Sequence, residues 1–216
     1  RIVREASEES GTPIVVYTTG FDPNQDEGAA MWDAFLSDRS LTIVGGDSTT
    51  VTPATDFIAV LTQPDGGYRI ETRPAAAPTG VPLAALANGM NLLSYAPSNL
   101  ATLTQPGQRL RLILSWQVRA RPDTPDNYSF SVQLYGAAGT RLGQVDERFL
   151  PTYQWRTGDV ITTALSLPVS ADTAGHGPYS LLVSMYVYLS ESEQHGVDVL
   201  DIAGNPAGQF VSIPLQ

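Results

Sequence analysis

Cysteine and lysine are both missing from this sequence of 216 residues. Without cysteine there are no disulfides, thiolate metal sites or thiol nucleophiles, and the redox compartment is left open. All twelve long cationic side chains are Arg. Beside so much Ala, Gly and Pro, we read that as genome composition rather than mechanism. Positive charge is scarce too: 12 Arg stand against 22 Asp and Glu, a formal net charge of −10. That balance speaks against nucleic acid or anionic lipid as a partner. No apolar run approaches the roughly 20 residues a membrane-spanning helix needs. The chain opens Arg1-Ile2-Val3-Arg4-Glu5-Ala6, with no Met and no signal-peptide pattern, as if in mid-helix; we expect a piece of a longer protein.

What is present suits an ordinary folded chain, with 42% hydrophobic residues. The most informative stretch runs from Arg109 to Tyr135. Leu110, Leu112, Leu114, Trp116 and Val118 alternate with Arg111, Ser115 and Gln117. After a Pro- and Asp-rich loop, Tyr128, Phe130, Val132 and Leu134 alternate with Ser129, Ser131 and Gln133. Strand side chains point to alternate sides, so each segment has one buried and one wet face. We expect a central pair of strands, covered by a second sheet in a β-sandwich.

Upstream the pattern differs. Residues 1–10 read as an amphipathic helix with Ile2, Val3 and Ala6 inward, closed by Gly11 and Pro13. Ile14 to Thr18 is a β-branched run suited to a strand buried on both faces. Asp22 as N-cap, Pro23 at the first helical position and Gln25 at the third predict a second helix. Its apolar stripe is Met31, Trp32, Phe35 and Leu36. Further strands are predicted at 41–44, 57–61 and 68–72, the last two joined through Asp65-Gly66-Gly67. Strand, helix, strand predicts a parallel βαβ unit with an antiparallel addition.

The segment from Arg73 to Gly80, rich in Ala and Pro, reads as a linker. We therefore expect an α+β chain of two domains: residues 1–78 as a small α/β layer, and residues 79–216 as an antiparallel β-sandwich of jelly-roll or immunoglobulin-like type. Strands in the second are predicted near 90–95, 110–118, 128–135, 141–146, 160–167, 179–188, 197–200 and 209–213.

Residues able to carry chemistry are few. Asp22 to Asp33 partly mimics a calcium loop, but Glu27 stands where that loop needs Gly, so we read helix capping. Gly45-Gly46-Asp47-Ser48 follows a strand without a phosphate-binding signature and reads as a loop. Asp146 and Glu147, as neighbours on a strand, point to opposite faces and cannot form a glycosidase pair with each other. No Ser lies in a G-x-S-x-G elbow, and His176 and His195 sit in Gly-rich or polar loops. Glu191, Glu193, Asp198 and Asp201 offer hard oxygen ligands, yet exposed loop carboxylates are ordinarily just solvated. No catalytic constellation, metal site or cofactor is therefore expected; a stand-alone hydrolase and a metal-binding sandwich remain the alternatives. Trp155, Tyr153 and Tyr128, in or beside loops, are the candidates for stacking on sugar rings. Trp116, inside an alternating strand, is expected in the core.

One ordered set of segments goes further. It comprises Gly89-Met90-Asn91-Leu92-Leu93-Ser94-Tyr95, Pro106-Gly107-Gln108 with Leu114-Ser115-Trp116-Gln117, Val132-Gln133-Leu134, Gly143-Gln144-Val145-Asp146, Trp155-Arg156-Thr157-Gly158-Asp159 and Pro178-Tyr179-Ser180-Leu181-Leu182-Val183. Together these resemble the extracytoplasmic C-terminal region of bacterial membrane glycosyltransferases of the dolichyl-phosphate-mannose mannosyltransferase type. The resemblance covers mainly residues 80–216. It implies a non-catalytic accessory domain outside the cytoplasmic membrane, tethered to the membrane portion of its parent chain and recognising a glycan or an acceptor protein. It carries over no catalytic residue, since catalysis in that family belongs to loops of the membrane portion.

Overall fold

Ile14, Val15 and Val16 have no exposed surface, as a β-branched run without a polar face requires. The computed structural model describes residues 2–18, 26–46, 48–63, 65–75, 80–104, 107–122, 127–170, 175–190 and 193–215. In it that run is β1 (Ile14–Thr18), preceded by α1 (Ile2–Ser10). Gly11 closes α1 at φ 63° and donates its N–H to the Ser7 carbonyl. The side of α1 that is buried carries Val3 and Ser7, while Ala6 is exposed.

Helix α2 (Glu27–Leu36) leads to β2 (Leu41–Gly45). It starts later than the sequence pattern predicts: Asp26 takes the N-cap in extended conformation, φ −119° and ψ 117°, and Asp22 lies outside the described residues. α2 buries Ala29 and Leu36, covers Met31 and Trp32 in part, and leaves Phe35 exposed. After β2 come β3 (Thr49–Thr52), β4 (Phe57–Thr62) and β5 (Tyr68–Arg73). β1 pairs in parallel with both β2 and β4, and β5 returns antiparallel to β4. The order β2-β1-β4-β5 is the expected βαβ unit with its antiparallel addition.

β6 (Ala84–Leu86), β7 (Met90–Pro97), β8 (Arg109–Val118), β9 (Tyr128–Tyr135), β10 (Arg141–Arg148) and β11 (Val160–Pro168) follow. β12 (Tyr179–Ser190), β13 (Glu193–Gly196), β14 (Val199–Leu200), β15 (Pro206–Gly208) and β16 (Val211–Leu215) complete the described strands. They form two sheets of a β-sandwich. One is seven-stranded, β15-β14-β6-β7-β8-β11-β3; the other is five-stranded, β10-β9-β12-β13 with β16 also paired to β12.

Two features depart from the sequence pattern. β8 and β9 are not neighbours: they belong to opposite sheets, and Trp116 meets Phe130 across the core with ring centroids 6.0 Å apart. Alternation reveals which face of a strand is buried but not which strand lies beside it, and here each apolar face covers the other. The second feature is β3, which leaves its sequence neighbours and pairs antiparallel with β11, Val51 opposite Ile161. Thr residues separated by one apolar Val make a short edge strand that carries no long-range periodic signal.

The four-stranded sheet is consequently covered on both sides. Ile14, Val16, Ile58 and Val60 pack with Val3 and Leu36 beneath the helices. The alternate residues Val15, Val44, Phe57 and Ala59 join the core of the sandwich. Among the described residues, no helix is long and apolar enough to cross a membrane.

Candidate functional site

The outer face of the five-stranded sheet gathers the polar half of three alternating strands. β9 contributes Ser129, Ser131 and Gln133. Opposite them on β10 stand Gln144, facing Gln133, and Asp146, facing Ser131. On the other side β12 places Ser184 against Ser131 and Tyr186 against Ser129. All of these but Ser129 line a groove of about 200 Å³, together with Gln209 and Phe210. Phe210 is 49% exposed.

Hydrogen bonds order the groove into a chain. Arg141 Nη1 donates to Gln144 Oε1 at 2.7 Å, and Gln144 Nε2 donates to Asp146 Oδ2 at 2.7 Å. Tyr186 OH reaches Asp146 Oδ1 at 3.4 Å, and Tyr135 OH donates to Gln133 Oε1 at 3.1 Å. Burial first, and then the Asp146 charge, push the Tyr186 phenol above its usual pKa, so it stays protonated and able to donate. Gly196 is part of the geometry. A Cβ there would lie 2.5 Å from Gln209 Oε1, so the missing side chain lets the Gln209 amide lie over β13. The face offers amides, hydroxyls and one carboxylate beside aromatic rings. Such a set suits a neutral, polyhydroxylated ligand, whose hydroxyls both donate and accept.

The aromatic residues singled out by sequence do not share this surface. Trp155 is 2% exposed and Tyr128 is buried. Their rings stack at 5.6 Å with 27° between planes, and Trp155 Nε1 donates to the Leu150 carbonyl at 2.7 Å. Both therefore lie in the core with Phe149, and neither turns a ring face outward. The loop position of Trp155 is a consequence of the short 3-10 turn over Thr152–Gln154, which folds it back under the sandwich. Tyr153 alone of the three is exposed. Trp116 is fully buried, as expected.

The remaining candidates are placed as follows. Gly46 N–H is taken by the Thr18 carbonyl at 3.1 Å, and Asp47 lies outside the described residues. Asp146 opposes Ser131 and Glu147 opposes Phe130, so the two carboxylates do lie on opposite faces. Asp201 Oδ1 accepts the N–H groups of Ala203 and Asn205 and so holds the β14–β15 turn. Those bonds, chiefly from Asn205, lower its pKa. Glu193 pairs with His195 at 3.2 Å, His176 is exposed, and Glu191 lies outside the described residues. No cluster of three metal-ligating side chains occurs among the described residues.

Sequence reasoning missed a second polar cluster, in the loop between β10 and β11. Gln154 Oε1 accepts the Ile43 N–H at 2.6 Å. Arg156 donates to the Ser40 carbonyl at 3.1 Å and also to Thr42 Oγ1. Asp159 Oδ1 accepts the Ala54 N–H at 3.2 Å. Burial raises the Asp159 pKa, opposed by Arg156 and the Ala54 N–H, and burial likewise lowers that of Arg156. The Trp155-to-Asp159 motif is thus a clasp between the sandwich and the four-stranded sheet. The sequence shows only that Gln154, Arg156 and Asp159 lie close together in one loop; their burial appears in the structure alone.

No protein-family model matches the chain, and no curated protein does. Fold and site together define the class, a β-sandwich with a polar groove on one sheet. Among solved structures, the chain is similar to the crystal structure of the C-terminal domain of wzt. The identity is 14% and the TM-score 0.39, over 61% of this chain and 74% of that one. It is also similar to a beta-glucuronidase from glycoside hydrolase family 2, at 11% identity and a TM-score of 0.28, over 53% of this chain and 11% of that one. At these values neither likeness carries an argument about activity.

Proposed function

We propose that this chain is a non-catalytic glycan-recognising module, and that the groove on the five-stranded sheet is where the glycan lies. The observation that carries the reading is the hydrogen-bonded row Arg141-Gln144-Asp146-Tyr186 on an open sheet face. Its carboxylate and its amide are held in fixed orientation before any ligand arrives, which lowers the ordering cost of binding. Phe210, in the groove lining, offers an apolar ring for the C–H face of a sugar. The net charge of −10 favours a neutral glycan over an anionic one. The ordered motifs from Gly89 to Val183 support a setting outside the cytoplasmic membrane, as an accessory part of a membrane-bound glycosyltransferase-like parent.

Glycan-array screening followed by calorimetric titration tests the reading. Asp146→Ala and Phe210→Ala are expected to abolish binding of the glycan the array selects, while Tyr153→Ala leaves it intact. An array without a hit removes the recognition role, and retention of binding in both groove variants places it elsewhere.

A further inference from the structure

The two edges of the four-stranded sheet are finished differently. At β2 the outward N–H of Ile43 is occupied by the Gln154 side chain at 2.6 Å. At β5 no described strand or side chain takes that place. Which β5 groups point outward follows from the hairpin. Gln63 N–H donates to the Gly67 carbonyl at 2.8 Å, so Gln63 and Gly67 are a hydrogen-bonded pair. Counting in twos, Leu61–Arg69, Ala59–Glu71 and Phe57–Arg73 are hydrogen-bonded pairs as well. The N–H and C=O groups of Tyr68, Ile70 and Thr72 therefore face away from β4, in an unfinished row.

The side chains of the same strand decide what completes it. Tyr68 and Ile70 lie on the helix-covered side, opposite Thr62 and Val60, and are 46% and 43% exposed. With Phe35, 66% exposed, they line an apolar groove of about 610 Å³ that includes Trp32 and Val3. On the other side Glu71 sits between Arg69 and Arg73, 2.8 Å from each. An antiparallel strand centred on a twofold axis at Ile70 would meet this pattern with its own. Ile70 then faces the second copy's Ile70, Tyr68 faces its Thr72, and Arg69 faces its Glu71. The registers about Arg69, Glu71 and Thr72 fail. An axis at Glu71 sets Glu against Glu and Arg69 against Arg73, an axis at Arg69 sets Arg against Arg, and an axis at Thr72 pairs Ile70 with Pro74, which has no N–H.

We propose that two copies of this chain associate edge to edge through β5, antiparallel about Ile70, so that their four-stranded sheets become one. The outward backbone groups of Tyr68, Ile70 and Thr72 then all find partners, Arg69 and Glu71 exchange ion pairs across the axis, and the two apolar grooves meet at Ile70. The self-complementary order of charges, basic then acidic about a central Ile, is what favours a second copy over another partner.

Sedimentation equilibrium of the 216-residue chain tests this with Arg69→Glu, Glu71→Arg and the double exchange. Each single exchange creates two like-charge pairs across the axis and is expected to raise the dissociation constant at least about tenfold. The double exchange restores the opposite-charge pairing and with it the dimer. Ile70→Lys, at an exposed position on the axis, is expected to give a monomer with an unchanged circular dichroism spectrum. A wild-type chain that stays monomeric at every concentration overturns the proposal. So does a dimer that the single exchanges leave untouched, or one that the double exchange fails to recover.

Discussion

Gln154 Oε1 takes the backbone N–H of Ile43 at 2.6 Å, across 111 residues of chain. A side chain 5% exposed thus finishes the edge of a sheet to which it does not belong. Gln154→Ala leaves that buried N–H without a partner, at a cost of about 1–3 kcal/mol. Urea unfolding should show the loss as one transition seen alike by helix and strand signals, because the clasp joins the two parts. Separate transitions in the wild-type protein would contradict this.

Asp159 gives stability a definite pH slope. It is 3% exposed, and burial holds its carboxyl pKa above the usual value despite Arg156. Between the ordinary and the raised value, the folded protein keeps a proton that the unfolded chain has lost. The contribution of Asp159 is therefore full in acid and declines as pH rises through that window. Denaturation of wild type and Asp159→Asn across the acidic range should show wild type losing stability relative to the variant, which does not titrate, as pH rises. A wild type that instead gains stability relative to the variant as pH rises would mean that Arg156 outweighs burial.

Trp155 and Tyr153 are separated by a single residue and should behave as opposites. Trp155→Ala removes a ring packed on Tyr128 and Phe149, and should cost about 3–5 kcal/mol by chemical denaturation. Tyr153→Ala, on a half-exposed side chain, should stay within about 0.5 kcal/mol.

Gly89 should tolerate Ala less well than Gly11. Both have positive φ, 86° and 63°, which costs a non-glycine residue about 1–2 kcal/mol. At Gly89 a Cβ would also lie 2.2 Å from the Ala120 carbonyl oxygen, whereas at Gly11 nothing lies within 4 Å. Thermal melting should therefore show Gly89→Ala with clearly the larger loss.

Much of this architecture is written in local periodicity. The buried run at Ile14, the alternation from Leu110 to Val118 and that from Tyr128 to Leu134 each disclose a strand and its inner face. Partners are not local, which is why β8 and β9 look like a pair in sequence and lie in opposite sheets. β3, β6, β13 and β15 span three or four residues of pattern each, too few to stand out from loops. The groove was half legible: Ser129, Ser131 and Gln133 mark a wet face, but only the register brings Asp146 and Tyr186 to them. Trp155 misleads because an aromatic in a polar loop looks exposed, while its indole N–H is satisfied within that same loop by Leu150.

The detour of β3 has a consequence for how this protein can be cut or recombined. A break at residue 78, where composition changes, would carry off Thr49–Thr52 with the N-terminal piece. β11 would then present the N–H and C=O groups that now bind β3, the kind of bare margin along which chains aggregate. An expression boundary that respects the physics must keep those four residues with the sandwich, so residues 79–216 alone are not a self-sufficient unit of exchange.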